Sequence, residues 1–473
     1  MTKSLVCSAA ALVLTATAQA LPPTPAVSAA PADPVLAELI RESLARRPEL
    51  RQADALVLAE RERVPQAGAL QDPVLSLGIQ NDGFAGIQVG KMETSFWQVM
   101  VTQPLPWPGK LGLRTEVASS GVRLAEASVA RARLSAEAEA RRAYLDLLLV
   151  RDRLALLAKL EALWVKAEGL ARNRYETSEG SQSDVLRAQL ERNRLKQRRW
   201  ALEAEERTRV QGLNRLRGHA LDEPLRTSAS VGGLGLPVVP GAEAALADAE
   251  RRSPELQLAR LQVGRAAAQV ALARRDRYPD LAVTAALMPR GALDPMWSAG
   301  VSISLPIFSG SKQSRALAET EARAAASDGG AETVLQVLRL RVQERLAVLG
   351  SLVESASLYR DGLLIQSQAT VDSTMSQYRV GRVTFASVLE AISSVINDED
   401  GYLQAVAAAQ RVVIAAAEVS LEASGGATGG MAVGSVPGAG ASGGGGGAAS
   451  GGVATSPSAG GDAASPSSSM NKM

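Results

Sequence analysis

The chain is written twice, and that constrains its fold more than any other feature. Leu44–Leu50 (LARRPEL) returns as Ala249–Leu256 (AERRSPEL). Pro48 and Pro254 stand 206 positions apart, as do Pro73 and Pro279. Further on, Tyr175–Leu186 (YETSEGSQSDVL) returns as Tyr378–Leu389 (YRVGRVTFASVL) at a separation of 203. Three anchors in the same order, at nearly the same spacing, mark a tandem duplication, so one structural unit has to serve in both halves.

Each copy carries the same grammar. A helical segment begins after Pro34, and its counterpart after Pro240. Two alternating stretches around a polar loop follow, then a very long helix, a turn and a second helix. The alternating stretches are 74–80 and 96–103 in the first copy, 281–287 and 297–305 in the second. Leu75, Leu77 and Ile79 fall on one face, with Ser76, Gly78 and Gln80 on the other. Trp297, Ala299, Val301, Ile303 and Leu305 likewise oppose Ser298, Gly300, Ser302 and Ser304. A period of two with one apolar and one small or polar face suits a strand between lipid and water. It also suits a soluble hairpin lying on a core.

The helices favour the first reading. Between Lys110 and Arg174 there is no proline, and the glycines are Gly112, Gly121 and Gly169. A helix of that span reaches about 100 Å at about 1.5 Å per residue. The second copy offers 311–377, with a weakening or kink expected at Ser327-Asp328-Gly329-Gly330. The shorter helices, about 34–64 and 181–217, laid end to end would flank one long helix along its length. A globular core has no use for such a rod, whereas a tube crossing the periplasm does. Aromatic residues at 3% of the chain fit long helices better than a sandwich.

The ends have a different character. Lys3, the apolar run from Leu5 to Ala16 and the small-x-small site Ala18-Gln19-Ala20 read as a signal peptide over 1–20. Cys7, the single cysteine, lies inside it, so no disulfide or thiol chemistry is expected of the mature chain. Outside the Gly/Ala/Ser-rich tail, which is too poor in large apolar residues to span a bilayer, no later stretch of about 18 residues is free of charge, which leaves β-strands as any membrane element. A Gly- and Pro-containing linker, 232–241, separates the first repeat, 21–231, from the second, 242–423. The Gly/Ala/Ser-rich segment 424–473 has too little apolar side chain to fold and reads as a disordered tail.

At its turns the chain resembles the TolC-type outer-membrane efflux proteins, over roughly 34–422. Tyr378, Gly381, Thr384, Ser387, Val388 and Leu389 carry the pattern in the second copy. Tyr175, Ser178, Ser181, Asp184, Val185 and Leu186 carry it in the first. There Ser178 stands where glycine is usual, and Gly180 is the candidate for the left-handed position. Gln103-Pro104-Leu105-Pro106-Trp107-Pro108-Gly109-Lys110 is similar to the strand-to-helix junction of the heavy-metal efflux branch, and 305–310 occupies the equivalent place. The resemblance implies a mainly α fold with a small β part. Four strands cannot close a barrel, and outer-membrane barrels need at least about eight. Three protomers would therefore supply a 12-stranded membrane β-barrel continued by a periplasmic α-helical barrel. Implied partners are two further copies of the chain, a periplasmic adaptor (membrane fusion) protein, an inner-membrane RND-type pump and outer-membrane lipid. The implied function is a passive exit duct in the outer membrane of a Gram-negative bacterium.

On that reading the turns meet at the symmetry axis. Glu390 is expected to form a ring of three carboxylates at the constriction, with Ser387 and its first-copy counterpart Asp184 nearby. Two carboxylates about 7 Å apart in water repel by about 0.6 kcal/mol, and cations relieve that repulsion. The bland alternative is a solvated glutamate on a helix. Tyr175 and Tyr378 are expected to pack and hydrogen-bond between neighbouring helices, and Gly381 to shape the turn. Opening would be an outward swing of helix pairs at this tip. Trp97, Trp107 and Trp297, near strand ends, are candidate membrane-interface anchors.

Other chemistry finds little support. His219 is the one histidine and is expected at the surface past a helix end. No cluster has metal-ligand spacing, so any metal cargo would pass without a dedicated site, and no cofactor is implied. Ser309-Gly310-Ser311-Lys312 matches a Ser-x-x-Lys motif without its companions. The Gly-x-Gly-x-x-Gly match at Gly438 lies in the low-complexity tail. A formal charge of +2, with acids flanking the run 192–200, argues against nucleic acid. The remaining alternative is a periplasmic coiled-coil adaptor or structural protein. It leaves the paired hairpins unexplained.

Overall fold

The computed structural model describes residues 33–422 apart from residue 85. The expected signal peptide and Gly/Ala/Ser tail lie outside the described residues. The first copy contains α1 (Pro34–Arg46), α2 (Pro48–Gly68), β1 (Val74–Gln80), β2 (Phe96–Leu105), α3 (Lys110–Glu176) and α4 (Gln182–Arg217). The second contains α5 (Ala242–Arg252), α6 (Pro254–Arg275), β3 (Leu281–Arg290), β4 (Leu293–Ile303), α7 (Gln313–Leu358), a π-helical turn (Tyr359–Leu363), α8 (Leu364–Arg379) and α9 (Phe385–Glu418). Among the described residues, no helix is long and apolar enough to cross a membrane.

The helix expected over 34–64 is two helices. Pro48 forces Arg47 out of the helical region, to φ −62° and ψ 126°, and Pro254 does the same to Ser253 at φ −62° and ψ 115°. Each proline then opens the next helix at its first turn, where its missing N–H costs nothing.

The 67 residues of α3 span about 100 Å. α2 and α4 lie antiparallel to it, one after the other. Ion pairs mark the path: Arg61–Glu126 at 2.6 Å and Arg133–Asp54 at 3.3 Å along α2, then Arg151–Glu206 at 2.7 Å and Arg192–Glu168 at 2.6 Å along α4. Where the two shorter helices meet, Glu139 of α3 takes Arg47 at the start of α2 on one oxygen and Arg215 near the end of α4 on the other. Exposed pairs contribute only a few tenths of a kcal/mol each. The packing energy lies in the apolar stripe beneath, where Leu147, Leu160, Trp164 and Ala167 of α3 are 2% exposed or less.

The helix expected over 311–377 is interrupted, but not at its glycines. α7 runs unbroken through Ser327–Gly330, where Cβ atoms built on Gly329 and Gly330 would meet open space. Two glycines there cost about 1 kcal/mol each in propensity, which a helix already propagating absorbs. The interruption is the π turn at Tyr359–Leu363. The Tyr359 ring lies against bare Gly401 of α9, whose added Cβ would sit 2.7 Å from the hydroxyl. One extra residue in the turn rotates the helix enough to seat that ring.

The four strands form one antiparallel sheet in the order β1-β2-β3-β4. Its rows keep the two faces apart. Leu77, Val99, Leu287 and Trp297 face each other in succession, as do Leu75, Val101, Ala285 and Ala299. Thr102, Thr284 and Gly300 make a row of the other face. The second hairpin is tighter than expected: Arg290 pairs with Leu293 across a two-residue turn, so β4 begins before Trp297 and ends at Ile303. Gly291, at φ +64°, supplies the left-handed residue this turn needs. β2 extends to Leu105, two residues beyond the expected end, because Pro104 and Leu105 still pair with β3.

Candidate functional site

The tip is built from the α3–α4 and α8–α9 turns. Helix α3 closes with the Thr177 amide bonded to the Asn173 carbonyl, and Glu179 and Gly180 both donate to the Arg174 carbonyl. The left-handed residue of this turn is Ser178 at φ +59°, not Gly180. Its counterpart, Gly381 at φ +75°, lies 203 positions on, the same offset as Tyr175 to Tyr378. Gly180 is needed for room instead: a Cβ there would approach the Arg174 Cβ to 2.9 Å.

Arg174 organises the junction between the copies, although no sequence motif marks it. Its Nη1 donates to the Tyr378 carbonyl at 3.0 Å and its Nη2 to the Glu179 carbonyl at 3.0 Å. Its guanidinium lies 4.8 Å from the Tyr378 ring centroid, in cation–π range. Tyr378 is 1% exposed, tilts against Phe385 at 5.3 Å, and donates its hydroxyl to Asp184 Oδ2 at 3.0 Å. Burial and the Asp184 carboxylate push the Tyr378 hydroxyl up to about 12. Below it Ala188, Val388 and Ile392 are fully buried.

The candidate tip residues therefore divide. Tyr378, Asp184 and Gly381 gather around Arg174. Tyr175 does not join them; it is 47% exposed, because the second-copy helices of its own chain pack around Tyr378 instead. Ser387 is half-buried, its hydroxyl 3.3 Å from that of Thr384. Glu390 is exposed on α9 and makes no ion pair among the described residues. Thus Asp184 is engaged by a tyrosine, and Glu390 is the acid left facing outward.

At the other end of α3, Lys110 is 3% exposed. Its Nζ donates to Asp280 Oδ1 and to the Tyr278 carbonyl, both at 2.9 Å, and Asp280 Oδ1 also accepts from the Trp107 amide at 2.9 Å. Partial burial works against the Asp280 carboxylate, but the Lys110 ammonium and Trp107 amide together hold its pKa below the usual value. The Trp107 ring stacks on Tyr278 at 5.7 Å and 13°. Its ring is thereby engaged within the strand-to-helix junction. Trp97 and Trp297 project from the sheet, 51% and 77% exposed.

His219 lies just past the end of α4, as expected, and is half-buried rather than free in solvent. Gly218, at φ +69°, turns the chain back so that the ring sits among Arg46, Glu42 and Glu223, with Glu223 Oε2 2.9 Å from Nδ1. Among the described residues no three His, Cys, Asp or Glu side chains are grouped to hold a metal.

No curated protein matches the chain. Solved structures do. The outer-membrane channel OprN superposes with a TM-score of 0.69 at 22% identity, covering 82% of this chain and 90% of that one. CusC, from a study of folding and transmembrane channel formation, gives 0.70 at 18% identity, covering 82% and 92%. The outer membrane protein VceC of Vibrio cholerae gives 0.67 at 18%, covering 82% and 97%. At these identities the likeness is one of fold. The model of the family described as "Outer membrane efflux protein" matches twice, over residues 39–219 and 245–425, once in each copy of the duplication. The chain belongs to the outer membrane efflux protein family and is an outer-membrane efflux channel component.

Proposed function

We propose that three copies of the chain close a 12-stranded barrel and a helical tunnel, forming a passive duct for heavy-metal cations rather than an enzyme. A periplasmic adaptor and an inner-membrane RND-type pump deliver the cargo to the tip. The observation that carries this is the sheet. It has four strands, one apolar face running across all of them and two free edges, and it continues into a helix of 67 residues. An isolated sheet of this kind leaves unpaired amides in lipid, a cost only closure removes. The junction at 103–110 supports the metal reading through its resemblance to the heavy-metal branch. Cations in transit need compensating negative charge rather than a ligand cage, and Glu390 offers an outward carboxylate on α9.

In this duct the tip opens by an outward swing of helix pairs, and Trp97 and Trp297 anchor the barrel at the lipid boundary. The protein should need detergent for extraction, run as a heat-sensitive trimer and conduct ions in a planar bilayer. Cells lacking it should lose tolerance to heavy-metal salts. A monomer that stays soluble without detergent sinks the channel reading. Unchanged metal tolerance alongside lost tolerance of organic compounds sinks the cargo alone. Cross-linking the α3–α4 turn of one protomer to the α8–α9 turn of its neighbour should abolish transport, and continued transport would remove the swing.

A further inference from the structure

The duplication satisfies its contacts in one direction only. First-copy groups that meet the second copy are buried and bonded, whereas their second-copy equivalents are exposed. Lys110 is 3% exposed and paired, while Lys312, 202 positions on, is exposed and makes no ion pair among the described residues. Tyr378 is buried on Asp184, while Tyr175 is exposed and its counterpart acceptor, Ser387, bonds among the described residues only to its own turn. β2 pairs with β3, while among the described residues β4 and β1 are free edges.

The strand registers turn this asymmetry into specific pairs. Val74 faces Thr102 in the first hairpin, and the Ser304 amide donates to the Asp280 carbonyl in the second. Carrying Val74 onto Asp280 is the 206 offset of Pro73 and Pro279. Carrying Thr102 onto Ser304 is the 202 offset of Lys110 and Lys312. Applied to the observed junction, Val101 opposite Ala285 becomes Ile303 opposite Ile79, and Gln103 opposite Val283 becomes Leu305 opposite Leu77. Neither offset used hydropathy, yet apolar residues meet apolar ones and Ser304 meets Gly78. A slip of one residue would invert a face.

We infer that β4 of one protomer pairs with β1 of the next with Ile303 opposite Ile79, and that Tyr175 of one tip hydrogen-bonds Ser387 of its neighbour, making subunit boundaries the seams that open. The inference rests on the channel reading and adds the register and the seam. Lys312 meets the neighbour's chain at Asp72, the counterpart of Tyr278, and its ammonium finds there a carbonyl and a carboxylate. The contact is head-to-tail, so it closes into a ring instead of stopping at a dimer. The two kinds of tip junction differ in strength. Within a chain, Tyr378 donates to a carboxylate and Arg174 clamps its carbonyl. Between chains the corresponding groups are the Ser387 hydroxyl and the Gln377 amide. Hydrogen bonds to a charged group are roughly twice as strong as neutral ones, so the seam parts first.

Native mass in detergent comes first, since a monomer overturns the channel reading itself. In the trimer, Ile79→Cys with Ile303→Cys should oxidise to a reducible covalent ladder several-fold faster than Ile79→Cys with Leu305→Cys or Val301→Cys. Those same-face control pairs sit two residues out of register. A trimer in which a control pair reacts faster overturns the register. Tyr175→Cys with Ser387→Cys tests the tip outside the barrel, should a strand variant fail to assemble. Ser387→Asp should lower single-channel open probability several-fold and Tyr175→Phe raise it. An unchanged open probability in both, with no tip cross-link, overturns the seam.

Discussion

The Tyr378 hydroxyl donates to Asp184 Oδ2 at 3.0 Å, tying the end of α8 to the start of α4, 194 residues earlier. The link joins the two copies of the duplication at the turns that end the long helices. Tyr378→Phe keeps the ring under Arg174 and deletes only the donor. The loss of a hydrogen bond to a charged acceptor costs about 1.5–3 kcal/mol, less here because water reaches Asp184. Thermal unfolding should show this loss, while bilayer recordings should show an open fraction close to wild type, because the link lies within one protomer and the seam between protomers parts first. A several-fold larger open fraction would place the gate at this link instead.

Glu390 gives a sharper test of ion selection. Glu390→Gln should shift the reversal potential in a salt gradient toward that of an unselective pore, without changing trimer stability. Unchanged selectivity returns the residue to the status of a solvated glutamate.

The left-handed positions predict a reciprocal pair. Ser178 holds φ +59° at a cost that glycine does not bear, so Ser178→Gly should raise thermal stability by about 0.5–1 kcal/mol. Gly381→Ala should lower it by about 1–2 kcal/mol, since φ is +75° and the new Cβ meets Arg174 Nη2 at 3.1 Å. Thermal unfolding of both variants checks the signs.

At the strand-to-helix junction, Lys110→Met leaves Asp280 without its ammonium and should destabilise by about 1–3 kcal/mol, read from thermal unfolding. The Asp280 pKa lies below its unfolded reference of 3.8, so this contribution is intact above that reference. It disappears as pH falls through the folded value. Wild-type stability should therefore fall more steeply than that of Lys110→Met below about pH 4. Parallel curves would show that the pair is not coupled to folding.

The π turn makes a steric prediction. Gly401→Ala places a methyl 2.7 Å from the Tyr359 hydroxyl and should cost about 1–3 kcal/mol. Tyr359→Ala together with Gly401→Ala should cost less than the two changes added separately, as a thermal-unfolding double-mutant cycle would show.

Much of the molecule was legible in the chain because the signals are local or periodic. Alternation over 74–80 and 297–305 follows from a pleat with two solvents. The proline-free run from Lys110 reads as one rod because nothing in it breaks a helix. The duplication required only that spacings repeat. Pro48 and Pro254 could also have been read as helix breaks, since the steric rule concerns adjacent residues.

What tertiary structure decided is which of two similar copies touches what. Ser178 and Gly180 are equally available to a turn, and the Arg174 side chain excludes a Cβ at Gly180, leaving Ser178 to take the strained angle. Ser327–Gly330 looks weaker than Tyr359–Leu363, yet the π turn forms where a ring needs a bare α9 backbone, 42 residues further along the chain. Tyr175 and Tyr378 are the same residue in the same motif, and one is buried and the other exposed. Sequence repeats a unit without regard to its neighbours. Packing is a relation between units, so a single chain can complete that relation on one side only.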